Sequence, residues 1–401
     1  MARHARRLIA WTGGAVIALA LLVVLATLAL VWFVNPNVWR ARIAQSASTA
    51  LGRQLILGGD LRWDIGWNIA IASDGGFIAN APGFDATPFA QWQRMRLGLN
   101  VRSLLGKRIV IDQLAIDGLK VNLQRNAAGE GNWSFTLATG GKAAADKPIT
   151  LQVSSVQLRN SQLTFVDARA APKTPMTWQL VDLALDIKLP IDLNASSRQL
   201  REVALHGRLQ GGSLPAAGIP VEFEAATLTH NSDSSTLAVP AFKAQWDDAK
   251  LSGAVDAVLG AQPTAQGKLS LRVPSIRSQL TLLKVSLPPM ADPNTLGKLD
   301  VDAIFDLGGS TLEITALNAL LDDTRLGGTL AVVQFSPPAL RFDLTGDSMD
   351  FDRYLEPADY QGKPFELPLA QLKGLNVKGV LRMKSATLMG AKATELRIDA
   401  E

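Results

Sequence analysis

The chain has no cysteine and only three histidines. Disulfides and thiolate metal sites are therefore excluded, which fits a compartment outside the cytoplasm. His4, His206 and His230 are too scattered for a His-rich metal centre. Catalytic motifs are missing as well. The Gly-Lys pairs at Gly106, Gly141, Gly267, Gly297 and Gly362 all lack the earlier Gly and the following Ser or Thr of a phosphate loop. Neither G-x-S-x-G nor H-E-x-x-H occurs. The expectation is a protein that is not an enzyme and has no cofactor.

Acid is absent from the first 59 residues, which carry Arg3, Arg6, Arg7, Arg40, Arg42 and Arg53. The rest of the chain holds 34 basic against 36 acidic residues, so the overall charge of +4 belongs to the N-terminus. The body has no nucleic-acid footprint. Long helical patterns are also scarce, with short ones at Ile276–Lys284 and Phe351–Leu355.

One long apolar run is present. From Leu8 to Val34 no residue is charged, and about 20 apolar residues suffice to cross a bilayer. Trp11 and Trp32 sit near its ends, where amphipathic rings favour the headgroup level. Arg3, Arg6 and Arg7 precede it and place residues 1–7 in the cytoplasm, although Arg40 and Arg42 beyond it weaken that bias. A cleaved signal would have a shorter apolar core. The reading is an uncleaved anchor over 8–34 with the bulk of the chain exported. A short amphipathic helix over 35–53 follows, with Trp39, Ile43, Ala47 and Leu51 on one stripe and Gly52 as its stop. Two roles stay open for it: packing on the first strands, or lying at the membrane surface.

From Leu55 the apolar period becomes two, the mark of strands with one greasy and one wet face. The clearest run is Leu299, Val301, Ala303, Phe305 and Leu307, alternating with three aspartates. Repeats reinforce this. Trp246-Asp247-Asp248-Ala249-Lys250-Leu251 matches Leu321-Asp322-Asp323-Thr324-Arg325-Leu326, each read as strand, turn, strand, with the Asp pairs as turn residues and not ligands. Ile111, Leu114, Ile116, Val121 and Leu123 match Val153, Val156, Leu158, Leu163 and Phe165 at one offset, also read as strand, tight turn, strand. Asp350, Asp352 and Glu356 read as a solvated helix start rather than a cation site, and Trp63, Trp67 and Trp133 as core aromatics rather than ligand stackers.

At roughly 17 residues per strand and turn, the body supplies about 20 strands extending about 95 Å. There are too few helices to cover so much apolar face. Either a second layer closes it, as in a sandwich or barrel, or the sheet curls into an open groove for an apolar ligand. Candidate groove residues are Leu299, Val301, Phe305 and Leu307, then Leu312, Ile314, Leu269, Leu271 and Val273.

The order of small motifs adds a family. An anchor, a helix ending at Gly52-Arg53, Gly59-Asp60-Leu61, Asn80-Ala81-Pro82-Gly83-Phe84, Asp117-Gly118 and Arg125 to Trp133 follow one another. This order resembles the AsmA family of bacterial inner-membrane proteins, whose relatives include TamB. The resemblance implies a mainly β fold: a single transmembrane helix, an AsmA-like region over 54–170 and a curved, repeat-built antiparallel groove over 171–401. It implies a single-pass inner-membrane protein with a periplasmic body that handles phospholipid and supports outer-membrane integrity. Partners on this view are phospholipids and the inner membrane. The alternative is a scaffold whose strand edges pair with outer-membrane proteins or a periplasmic partner. Family members usually continue beyond the equivalent of Glu401, so the chain is expected to be a short member or a fragment.

Overall fold

The computed structural model describes residues 35–65, 69–100, 103, 109–135, 151–169, 175–192, 196–212, 214–260, 262–335, 338–355 and 376–400. The expected anchor, with Arg3, Arg6, Arg7, Trp11 and Trp32, lies outside these residues, as does the 170/171 boundary. Among the described residues no helix is long and apolar enough to cross a membrane.

The first described element is α1 (Asn37–Leu51), closed by Gly52 in the left-handed region at φ 64°. It packs on the first strands through a polar side. Asn37 accepts the Leu61 N–H at 2.8 Å and donates to the Leu61 carbonyl at 3.1 Å. Arg40 Nε donates to the Leu57 carbonyl, and Ser48 Oγ accepts the Leu55 N–H. The Trp39–Ile43 part of the expected stripe is therefore not the packed face, and both side chains are exposed.

Among the described residues a single nineteen-stranded sheet follows. It starts with β1 (Leu55–Leu57), β2 (Leu61–Ile65), β3 (Ile69–Ile78), β4 (Ala90–Leu99), β5 (Ile109–Asp117), β6 (Lys120–Arg125) and β7 (Leu151–Asp167). Next come β8 (Met176–Asp192), β9 (Ser197–Gly211), β10 (Ile219–Asn231), β11 (Thr236–Trp246), β12 (Ala249–Val258) and β13 (Thr264–Val273). The helix α2 (Ile276–Leu282) interrupts them. Beyond it lie β14 (Leu299–Gly308), β15 (Thr311–Leu321), β16 (Thr324–Phe335), β17 (Pro338–Asp350), β18 (Asn376–Leu388) and β19 (Ala391–Ala400). From β7 onward each strand pairs with its sequence neighbour. Because β1 and β2 share one side of β3, and β5 and β6 one side of β7, the sheet is about 75 Å across at ~4.8 Å per strand.

The expected antiparallel sheet is in fact mixed. β5 and β6 both run parallel to β7, and β17 runs parallel to β18. This corrects the reading of the second repeat, whose copies are not two hairpins. Ile111 lies opposite Val153, Leu114 opposite Val156, Val121 opposite Leu163 and Leu123 opposite Phe165. The sequence offset is the parallel pairing register, with Asp117-Gly118 dividing β5 from β6. Asn160, at φ 49°, sits within the continuous β7 where the β8 register shifts. The first repeat is as expected, with Asp247 and Asp322 at φ 52° and 51° in the β11–β12 and β15–β16 turns.

The helix expected from Ile276 is α2, opened by Ser275, whose side chain accepts the Ser278 N–H. Asp350 likewise caps a 3-10 turn, Phe351–Arg353. Trp133 is not in the core. It is 36% exposed, with the Arg125 guanidinium 5.5 Å from its ring. Trp67 and Glu356 lie outside the described residues.

Candidate functional site

Strand alternation assigns each residue a face, and pairing decides who stands beside it. Val301 on β14 lies between Leu271 and Ala319. Followed outward, this row continues through Leu326, Gly346, Met383 and Leu396 to β19. In the other direction it passes Leu251, Ala244, Phe223, Leu205, Leu185 and Leu158. It then crosses Ile116 and Met95 to Ser73 and Leu61 on β2. One row thus traverses the whole sheet, and Ser73, which is buried, is its only polar side chain.

All nine candidate groove residues fall on this face. Leu269 stands opposite Ala303, Leu307 opposite Leu312, Phe305 opposite Ile314, and Val273 opposite Leu299. Val273 is buried and the other eight are partly buried. The buried cluster around Val203, Ala225 and Val239 draws its apolar neighbours from the adjacent strands β8 to β11. The large side chains are spaced by glycines. Phe305 faces Gly267, and Phe342 faces Gly379, where an added Cβ would lie 2.7 Å from the Phe342 ring. Met383 lies over Gly346 in the same manner. Such large–small pairing evens the face.

One residue along, the strands from β7 to β15 turn polar, with Ala204 on β9 the exception. The neighbouring row reads Gln157, Asp186, Ala204, Glu224, Lys243 and Ser252, then Ser270, Asp302 and Asn318. Arg272 donates to both Asp302 oxygens at 2.9 Å and holds that carboxyl below its ordinary range. The Arg159–Asp186, Lys188–Glu202 and Arg382–Asp343 pairs share this side. Being exposed, they add little stability, but they keep the face wet.

A cleft of about 1000 Å³ spans β5 to β12, lined by the polar row, Gln157, Asp186, Glu224, Lys243 and Ser252, together with Val156, Ile187, Val203, Ala225 and Phe242. Smaller clefts of about 350 and 500 Å³ follow at β12–β15 and β15–β18. The first reaches the upper end of ordinary ligand-pocket volumes.

Two arrangements escaped the sequence. The Asp322 carboxylate accepts the N–H groups of Leu296, Gly297 and Lys298 and the Tyr354 hydroxyl. In the other copy of the repeat, Gln279 of α2 donates to Asp247 and Asp248. In both copies, then, the turn aspartate fastens a connecting segment to the end of the sheet. The repeat itself marked these aspartates, but only as turn formers.

The second is a hub. Arg53 is buried, donates to the carbonyls of Asn132 and Ser134, and lies 4.0 Å from the Phe135 ring centroid and 5.1 Å from that of Phe89. Asn132, fully buried, donates to Asn80 Oδ1 and the Asn122 carbonyl and accepts the Gln124 N–H. Short motifs far apart in sequence, at Arg53, Asn80 and Asn132, thus meet in one knot.

The knot lies within a stretch that the comparisons identify. Residues 6–175 match the AsmA family. The match supports AsmA-family membership over that stretch. No curated protein matches the chain. The family points to an envelope function concerned with lipid or the outer membrane. The AsmA match stops just before β8, yet the apolar row continues across that point without a break, from Leu158 to Leu185.

Proposed function

We propose that the protein binds phospholipid acyl chains along the apolar row and passes lipid from the inner toward the outer membrane, without catalysis. The observation that carries this is the row from Leu61 to Leu396, interrupted by a single buried serine. A lipid crossing water exposes its tails at about 0.8 kcal/mol per methylene. A greasy surface broken only at one buried serine lowers that barrier along the path. On this reading the chain is held in the inner membrane by residues 8–34 and its body lies in the periplasm.

The test is photocrosslinking in cells from positions 301 and 305, with Val301→Glu and Phe305→Glu as companions. Phospholipid adducts at both positions, lost in the glutamate variants, are expected. A folded protein with no lipid adduct at either position rejects the proposal. The scaffold reading rests on a different observation: among the described residues β19 is paired on one side only, with β18. Purified protein that carries a β-barrel client and no phospholipid would favour it.

A further inference from the structure

A surface helix ordinarily turns its apolar side inward. α1 does the reverse over its first turns. Its inward side holds the sheet by hydrogen bonds from Asn37, Arg40 and Ser48 to the backbone of Leu61, Leu57 and Leu55, with Ala44 as the apolar contact. Its outward side presents Val38 at 75%, Trp39 at 49% and Ile43 at 45% exposure. Arg42 stands among them, its guanidinium 5.9 Å from the Trp39 ring.

We propose that this patch is a docking surface for the headgroup layer of a lipid bilayer. Three features select that occupant. The uncharged run Leu8–Val34 ends just before the helix, so the proposed anchor delivers Val38 and Trp39 to the bilayer surface. No acid occurs before Asp60, leaving Arg42 free to meet anionic headgroups. Along the same side the helix then turns polar, with Ser46 and Thr49 exposed, so the greasy part is confined to the end nearest the anchor. Trp and Arg side by side suit that interface. A protein partner is a poor fit, because three side chains fall far short of the ~800 Å² a stable interface takes from each side.

The consequence deepens the lipid-handling reading, on which it rests for its purpose. Asn37 grips Leu61, the first residue of the apolar row. A helix seated in the headgroups therefore holds the start of the row at the membrane, where a lipid would enter.

The absence of cysteine makes the test clean. Single variants Val38→Cys, Ile43→Cys and Thr49→Cys of the full chain would carry an environment-sensitive fluorophore, in vesicles of phosphatidylethanolamine with a minor share of phosphatidylglycerol. Quenching by lipids spin-labelled near the headgroup should be about threefold stronger at 38 and 43 than at 49, since an interfacial helix sinks its apolar face ~5–10 Å. Equal quenching at all three positions, or none, overturns the proposal. A label at Leu21→Cys, read with deep-labelled lipid, reports on the anchor separately. Lipid adducts from position 301 report on the row, so failure of one reading is not mistaken for failure of another.

Discussion

Tyr354 donates its hydroxyl to the Asp322 carboxylate at 2.6 Å. The same carboxylate accepts three successive backbone N–H groups, from Leu296 at 2.9 Å, Gly297 at 2.7 Å and Lys298 at 2.9 Å. One turn residue thereby ties down the segment before β14 and the segment after β17. Asp322→Asn keeps a residue that tolerates the left-handed turn but sets an amide N–H₂ against these donors. A loss of about 2 kcal/mol is expected, the cost of leaving a buried donor unmet. Asp247→Asn removes far less, since among the described residues its carboxylate is met by Gln279 alone and an amide can turn to suit. Urea unfolding of the two variants should separate them clearly. Equal effects would mean that Asp322 serves the turn alone.

Acid should act through the same contacts. Burial pushes the Asp322 carboxyl up, but the Tyr354 hydroxyl and the three N–H groups outweigh it, and the net direction is below the ordinary 3.8. Asp347, also opposed by burial, is lowered by the N–H groups of Ser348 and Arg325. Asp292 is lowered by the Asn294 N–H and by Arg353. A carboxyl depressed in the folded state contributes stability that is complete above its unfolded value and fades as pH falls through the folded one. Stability should therefore be flat from about pH 5 upward and drop below about pH 4. In Asp322→Asn the drop should be shallower. An unchanged slope in that variant would remove Asp322 from the account.

Period-two alternation made the strands and their greasy face legible from the sequence, because the side-chain period of a strand is fixed by its geometry. It placed Val301, Phe305, Leu269 and Leu312 on one side. What it does not encode is which residues stand opposite one another. A one-residue slip reverses the face, and bulges make such slips. On β15 the phase runs Leu312, Ile314, then Leu317, Ala319, and the register shift falls between Ile314 and Leu317. That jump was visible in the chain but had no partner strand to give it meaning. The outward side of α1 was hidden for another reason. Helical periodicity marks an apolar stripe, whereas hydrogen bonds from Asn37, Arg40 and Ser48 decided which side packs. The Arg53–Asn132 knot joins residues far apart in sequence, so no local pattern announced it.

The spacing of aromatic rings by glycine can be tested directly. A Cβ on Gly379 would lie 2.2 Å from the Phe342 carbonyl oxygen and 2.7 Å from its ring. Neither can give way without moving β17. Gly379→Ala should cost about 1–3 kcal/mol, as overpacking does. Gly98 is the control, with its nearest neighbours at 3.6 Å and no left-handed φ. Gly98→Ala should be neutral or gain about 0.5 kcal/mol through the unfolded chain. Thermal melts of both variants are sufficient, and similar losses would refute the packing argument.

Arg53 is the residue on which the knot depends. Arg53→Met keeps much of the volume between Phe89 and Phe135 but leaves the carbonyls of Asn132 and Ser134 without their donor. About 3 kcal/mol should be lost, from two charge-assisted bonds and a cation–aromatic contact offset by easier burial. Arg53→Lys should not restore it, because one ammonium cannot reproduce the flat fork. Faster proteolysis within residues 126–135 is the local sign to seek. Rescue by lysine would show that only charge is required there.

The two faces meet at Ile304 and Phe305, adjacent residues with opposite neighbours. Ile304 is 53% exposed and stands between Lys268 and Ala316, whereas Phe305 lies between Gly267 and Ile314. Ile304→Glu places a carboxylate in water beside a lysine and should change stability by less than about 0.5 kcal/mol. Phe305→Glu places the same carboxylate in a partly buried apolar row, which costs about 2 kcal/mol or more. Phospholipid extracted with the purified protein should follow the same division, unchanged in the first variant and about tenfold lower in the second, if each lost apolar contact is worth what burial of a side chain usually is. The pair separates a property of the row from a property of the strand, because the backbone is common to both. If lipid falls equally in both variants, the strand's integrity is what mattered. If it falls in neither while both remain folded, acyl chains do not lie on this face.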